Sequence, residues 1–147
     1  MAQPHVDIAR TEKSHWILRV VLVGLAYFAV GVVFAALAGA ATGPTRIAWR
    51  LAAWLISAAI FAGHVRYEYA RLDNPPATAA LRAALAVAFG AFAVAVVAYA
   101  RSRIVDNSQR PFLLLAFLSW PILTGVVAFV VAFFAASIAR MASKRFR

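Results

Sequence analysis

The chain contains no cysteine, which removes disulfides, thiolate nucleophiles and cysteine-ligated metal or iron–sulfur sites and says nothing of compartment. Charge is scarce as well. Only 14% of the 147 residues are charged and 65% are hydrophobic, where an ordinary soluble domain is nearer a quarter and a half. Lysine is almost missing, Lys13 and Lys144 being the only two. Arginine carries the basic charge, and with the abundance of alanine this points to a GC-rich bacterial genome. No Gly-rich phosphate loop, HExxH or GxSxG occurs, and the segments between apolar runs are too short to hold a soluble catalytic domain. Catalysis is therefore not expected.

What is present is hydrocarbon-seeking sequence, with a mean hydropathy of +0.82. The charges gather at residues 7–19, 46–50, 66–82, 101–110 and 140–147, and the four charge-poor runs between them are each long enough to cross a bilayer. The formal net charge of +10 forms no stripe within a soluble domain, so nucleic acid is not the expected partner. Basic residues flanking apolar runs instead orient a chain in a membrane and contact anionic lipid.

The sequence predicts an all-α integral membrane four-helix bundle of antiparallel up-down topology with short loops. Its spans fall at about 16–41, 47–69, 77–100 and 112–138, in a single transmembrane domain over 16–139, after an N-tail of 1–15. Span one has no charge between Arg19 and Arg46, which at about 1.5 Å per residue exceeds about 30 Å of hydrocarbon. A signal peptide is the rival reading, but the apolar stretch is longer than its usual core; cleavage would leave three spans with the same orientation. Gly24, Gly31, Ala35 and Gly39 share a face of span one that admits a close neighbour. Thr45 in the turn TGPT is placed to cap span two. Only residues 51–65 separate Arg50 from Arg66 there, so both arginines must snorkel while Trp49, Tyr67 and Tyr69 sit at headgroup depth. Asn74 is the expected cap of span three, whose alanines and Gly90 suit the bundle interior. Ser108 is the expected cap of span four, with Pro111 in its first turn. Pro121 lies within that span, predicting a kink, and Ser119 and Thr124 are expected to help satisfy the freed backbone. Together with Ser57 and Ser137 they are also expected to bond between helices. Trp54 and Trp120 lie too deep for an aromatic belt and are expected in the core, with facing a cavity as the alternative.

Four spans put Arg10, Lys13, Arg19, Arg66, Arg71, Arg82, Arg140, Lys144, Arg145 and Arg147 on one side and Arg46, Arg50, Arg101, Arg103 and Arg110 on the other. Ten against five predicts both termini in the cytoplasm of a bacterial inner membrane. The tail RMASKRFR, 140–147, then lays Arg140, Lys144, Arg145 and Arg147 against anionic lipid.

The stretch FAGHVRYEYARLDNPP, 61–76, concentrates what chemistry the chain has. His64, Tyr67, Glu68 and Arg71 recur at helical intervals, and a hairpin centred near Asn74 brings Glu68 to the depth of Arg82. A carboxylate near hydrocarbon needs a partner, so a Glu68–Arg82 ion pair is predicted, with Arg71 as a second donor and His64 donating to a neighbour. The functional alternative makes His64, Glu68 and Arg82 the inner gate of an ion, proton or solute pathway. His64 and His15 are the only weak metal candidates, too few for a site, and no second span carries a histidine to complete a haem pair. No cofactor is expected. Span one also lacks the embedded glutamate on which small four-helix drug and proton exchangers depend. The expected role is that of an accessory or structural subunit of a larger membrane complex, through protein partners or self-association, with small-residue faces at Gly31/Ala35/Gly39 and Ala128/Ala132/Ala136 as interfaces.

Overall fold

The computed structural model describes the backbone of residues 5–104 and 110–145 and the side chains of 15–101, 115 and 117–142. It holds four long helices, α1 (His5–Ala40), α2 (Gly43–Ala70), α3 (Pro76–Ile104) and α4 (Arg110–Arg145), and no strand among the described residues. Each contains a stretch long and apolar enough to cross a membrane: His15–Ala40, Gly43–Ala70, Pro76–Arg101 and Phe117–Ala142. The helices outrun the hydrocarbon-length segments read from the sequence, because a helix need not stop where its apolar residues do. α1 begins well before Trp16, and α4 carries the start of the basic tail on to Arg145. The expected cap at Ser108, and the side chains of Lys144, Arg145 and Arg147, lie outside the described residues.

The turns differ from expectation in instructive ways. α2 starts at Gly43, its N-cap is Thr42, and Thr45 falls inside the first turn. Proline without an N–H is at home where helical donors have no partner anyway, so Gly-Pro opens the helix and the turn shrinks to residues 41 and 42. The positive φ of Gly43, 54°, is the left-handed conformation glycine adopts without steric cost. Arg46 steadies the reversal, its Nε donating to the Ala41 carbonyl at 3.0 Å. Between α2 and α3, the Arg71 N–H donates to the Tyr67 carbonyl at 3.0 Å and the Asn74 N–H to the Glu68 carbonyl at 3.3 Å. Asp73 takes the left-handed φ of 48°, as chains do when they leave a helix. The first bond of α3 runs from the Ala79 N–H to the Pro75 carbonyl, so Pro75 holds the cap position expected of Asn74.

α3 is the centre of the assembly. It packs along α4 and along α1, while α2 leans mainly on α1 and touches α3 and α4 less; α1 and α4 do not meet among the described residues. Alanine explains this choice of centre. Ala79, Ala80, Ala83, Ala84 and Ala86 of α3 are buried, as are Ala128, Ala132 and Ala136 of α4. Small side chains let helix backbones approach where lipid tails offer no hydrophobic contrast. The α1–α3 seam is the tightest: a Cβ added at Gly90 would stand 2.8 Å from the Gly24 carbonyl oxygen and 2.6 Å from Tyr27 Cβ. Of the small-residue face on α1, Gly24 and Gly31 do pack on α3, against Phe89 and Val94, whereas Gly39 meets nothing within 4 Å.

Contacts run in rising order between α1 and α3, from Trp16 beside Arg82 to Gly31 beside Val94. They run in opposing order between α3 and α4, where Ala88 meets Gly125 and Phe92 meets Phe117. The order also opposes between α1 and α2, where Arg19 meets Tyr67 and Phe34 meets Trp49.

α4 continues through Pro121. Ser119 Oγ donates to the Leu115 carbonyl at 2.9 Å, and Thr124 Oγ1 to Trp120 at 2.8 Å and Pro121 at 3.2 Å. Neither hydroxyl reaches the Phe117 carbonyl that Pro121 deprives of its donor, and neither bonds to another helix. The reason is reach: a helical Ser or Thr bonds back three or four residues on its own helix, and Phe117 is at neither spacing. The two deep tryptophans are not core residues either. Trp54 is 77% exposed and Trp120 54%, and both line an apolar cavity of about 410 Å³ open between α2 and α4.

Candidate functional site: a buried carboxylate clamp

Glu68 is completely buried, with 0% exposure. It lies in the last turns of α2, on the face shared by His64 and Val65, which are also buried. A carboxylate removed from water is costly unless charge and hydrogen bonds replace its hydration. Both are supplied to one oxygen. Arg82 Nη1 of α3 donates to Glu68 Oε2 at 2.9 Å, and Asn74 Nδ2 donates to the same atom at 2.7 Å. Asn74 thus holds Glu68 twice, by its side chain and by its backbone N–H, tying the turn to the helix it leaves.

The clamp extends to α1. The Arg82 guanidinium carbon stands 5.4 Å from the centre of the Trp16 ring, and the Arg19 guanidinium 5.6 Å from the Tyr67 ring, distances at which a cation is attracted to an aromatic face. Glu68, Arg82 and Trp16 therefore link α2, α3 and α1 in one chain of contacts, with Asn74 closing the turn. Just inside lies a small apolar cluster of Val65, Ala80, Ala83 and Ala132, covered by Phe61 and Phe129.

The expected Glu68–Arg82 pair is present, but the group around it differs from the sequence reading. Arg71 is the C-cap of α2 and keeps helical dihedrals there, but it is exposed at the bundle end, where water solvates its guanidinium, and Arg82 and Asn74 are the donors to Glu68 instead. Tyr67, 44% exposed, turns instead to Arg19. His64 is not seen to donate: among the described residues its buried Nε2 has no hydrogen-bond partner, and neither has Glu68 Oε1. The two histidines are not brought to one site, because His15 lines a polar hollow with Arg82 and Asn74 whereas His64 lines a groove with Leu22 and Ile60. No group of three or more metal-ligating side chains occurs among the described residues.

Trp16, Arg19 and Asn74 escaped the sequence reading as members of this site. Trp16 and Arg19 are one turn apart on the charged end of α1, and a tryptophan and an arginine at that spacing, at the bundle end that carries the α2–α3 turn, were the available signal. For Asn74, capping preference pointed to the following helix, while the unpaired acid six residues earlier was the stronger claim on its amide.

No protein-family model, curated protein or solved structure matches the chain.

Proposed function

We propose that this is a non-catalytic multi-pass protein of a bacterial inner membrane, working by association as an accessory or structural subunit of a larger membrane complex. The four helices cross as an antiparallel up-down bundle with both termini in the cytoplasm. This reading is supported by the opposing contact order of α1 with α2 and of α3 with α4, by the two short turns, and by the excess of Arg and Lys at the end that carries Glu68.

The observation that carries the subunit role is the open seam between α2 and α4. Trp54, Ser57 and Phe61 face Trp120, Thr124 and Ala128 across the 410 Å³ cavity, and the most exposed large hydrophobic side chains among the described residues, Trp54 and Leu55, lie on α2. An apolar cleft rimmed by tryptophan and floored by small and hydroxyl-bearing residues fits a partner's transmembrane helix. The clamp serves the fold, because Arg82 and Asn74 already engage the carboxylate. Purification in gentle detergent should retain other polypeptides, and Trp54→Ala with Trp120→Ala should release them while the chain stays folded. Retention of the same polypeptides by the double variant would show that partners dock elsewhere than at the seam.

A second reading keeps His64, Glu68 and Arg82 as the inner gate of a homo-oligomeric channel or transporter, and the unpartnered Glu68 Oε1 and His64 Nε2 favour it. Under that reading Glu68→Gln abolishes flux into proteoliposomes at unchanged abundance. Under the subunit reading the same substitution mainly lowers abundance.

A further inference from the structure

We infer that α1 and α2 form a binding site for one anionic phospholipid, with the phosphate at Arg19 and an acyl chain in the groove below it. The site rests on the membrane-spanning reading above and is independent of the subunit role.

Two hollows meet at Arg19. The first, of about 240 Å³, is polar and is lined by His15, Trp16 and Arg19 of α1, by Leu72 and Asn74 of the turn and by Arg82 of α3. The second, of about 350 Å³, is an apolar groove between the two helices, where Leu22 and Val23 face Ile60 and Gly63 and His64 and Tyr67 close one end. Their order along the chain sets the direction: the groove residues of α1 follow Arg19 and those of α2 precede Tyr67, so the groove runs from the charged end toward the middle of both helices. Gly63 lines it with backbone alone, and a Cβ added there would meet no atom within 4 Å.

The charges select the headgroup. Arg82 is engaged with Glu68, and its side chain is still 20% exposed toward the hollow. Arg19 has a ring contact with Tyr67 and no carboxylate partner among the described residues. The tyrosine ring fixes the guanidinium without neutralising it, leaving an uncompensated cation with planar donors suited to phosphate oxygens. A cation at the rim of an apolar groove, with Trp16 and Tyr67 at the same level, is complementary to a phosphodiester joined to a hydrocarbon chain.

Native mass spectrometry of the detergent-purified chain, offered equal amounts of dioleoylphosphatidylglycerol and dioleoylphosphatidylcholine, tests the site. The first bound lipid should be the anionic one by about fivefold, which corresponds to about 1 kcal/mol for one cation near an anionic headgroup. Arg19→Gln should erase that preference and Arg19→Lys keep most of it. Leu22→Trp, which fills the groove without touching the charge, should weaken both lipids, and Arg50→Gln at the opposite end should change nothing. Circular dichroism of each variant establishes that it is folded. A wild-type preference in Arg19→Gln, undiminished binding in Leu22→Trp, or displacement of the lipid by millimolar inorganic phosphate would each overturn the proposal, the last by making free phosphate the ligand. Alkaline carbonate extraction separates the premises: a chain that carbonate removes from membranes sinks the spanning reading, whereas a resistant chain without lipid preference sinks only this site.

Discussion

The two sides of α3 are held by different physics. Toward α1 and α4 the contact is a long seam of glycine and alanine, with Gly24 against Ala86, Gly90 against Tyr27 and Gly125 against Ala88, and its strength is close approach repeated along the helices. Toward α2 the contact is brief and is concentrated at one end, where Glu68 meets Arg82. A seam of small residues tolerates no added volume and is indifferent to charge. The clamp is the reverse. α2 leans mainly on α1, and its hold on α3 is the contact that a single polar substitution should loosen.

The sharpest way to break that contrast is to remove one half of the clamp. Arg82→Leu leaves the fully buried Glu68 without its counter-charge, and breaking a buried pair on one side costs about 3–5 kcal/mol. Unfolding in mixed micelles, followed by circular dichroism, should show that loss. Glu68→Leu combined with Arg82→Leu should recover at least half of it, because no uncompensated charge remains. A single variant within about 0.5 kcal/mol of wild type, the range of ordinary surface changes, would mean that α2 is held elsewhere.

Second in size is overpacking of the seam. Gly90→Val places its Cβ where the Gly24 carbonyl and Tyr27 already stand, and backbone cannot yield as a flexible side chain does. The expected cost is about 1–3 kcal/mol, with α1 prised from α3. Crosslinking between cysteines introduced at Gly31 and Val94, whose Cβ positions would stand 4.0 Å apart, should fall in this variant and persist in Arg82→Leu, which on α1 loses the Trp16 ring at the other end of that seam. Equal loss in both would dissolve the distinction between seam and clamp.

Asn74→Ala comes next. It removes one of two donors to Glu68 Oε2 and leaves the Arg82 bond in place, so about 1.5 kcal/mol is expected, the lower end for a bond to a charged group. Asn74→Asp sharpens the point by setting a second carboxylate beside Glu68, and it should destabilise more than alanine does. If aspartate is tolerated better than alanine, the amide is not what binds Glu68.

The sequence revealed the helices far better than their arrangement. Charge-free runs from Arg19 to Arg46, from Arg50 to Arg66 and from Arg82 to Arg101 mark helix-length apolar stretches whatever surrounds them, and Glu68 announced its need for a cation because a carboxylate at the end of an apolar run is costly unless paired. Neighbour relations were not legible. Helices apolar on every side carry no inward face to read, so nothing in the pattern said that α1 lies along α3 and misses α4. Gly24 and Gly31 came nearest to saying so, since small residues speak of close approach without naming the partner. For Trp54 and Trp120 the core was preferred to a cavity because a large ring in an apolar run reads as core, whereas a helix that faces hydrocarbon, as the spanning reading has it, bears no penalty for leaving the ring outside. Trp16 and Arg19 joined the site through contacts made across the fold, and local spacing encodes none of these.

The smallest effect is also the cleanest comparison, because it uses the same chemical change on the two sides. Gly63→Ala and Gly90→Ala each add one methyl to a helical glycine. At Gly63 nothing lies within 4 Å of the new atom, and at Gly90 a carbonyl oxygen stands at 2.8 Å. In water alanine would gain up to about 1 kcal/mol in a helix over glycine. If α2 spans the membrane as proposed, its backbone bonds are obligatory in any case, so less of that gain survives, and Gly63→Ala should change stability by no more than about 0.5 kcal/mol. Gly90→Ala, with the same propensity gain, should still be net destabilising. Because Gly63 also lines the α1–α2 groove, Gly63→Ala should weaken phosphatidylglycerol retention slightly while leaving the unfolding midpoint where it was. A methyl that shifts the midpoint at Gly63 as far as at Gly90 would show that α2 is packed as closely as α1, and that the exposed flank of the molecule is closed by something other than lipid or a partner.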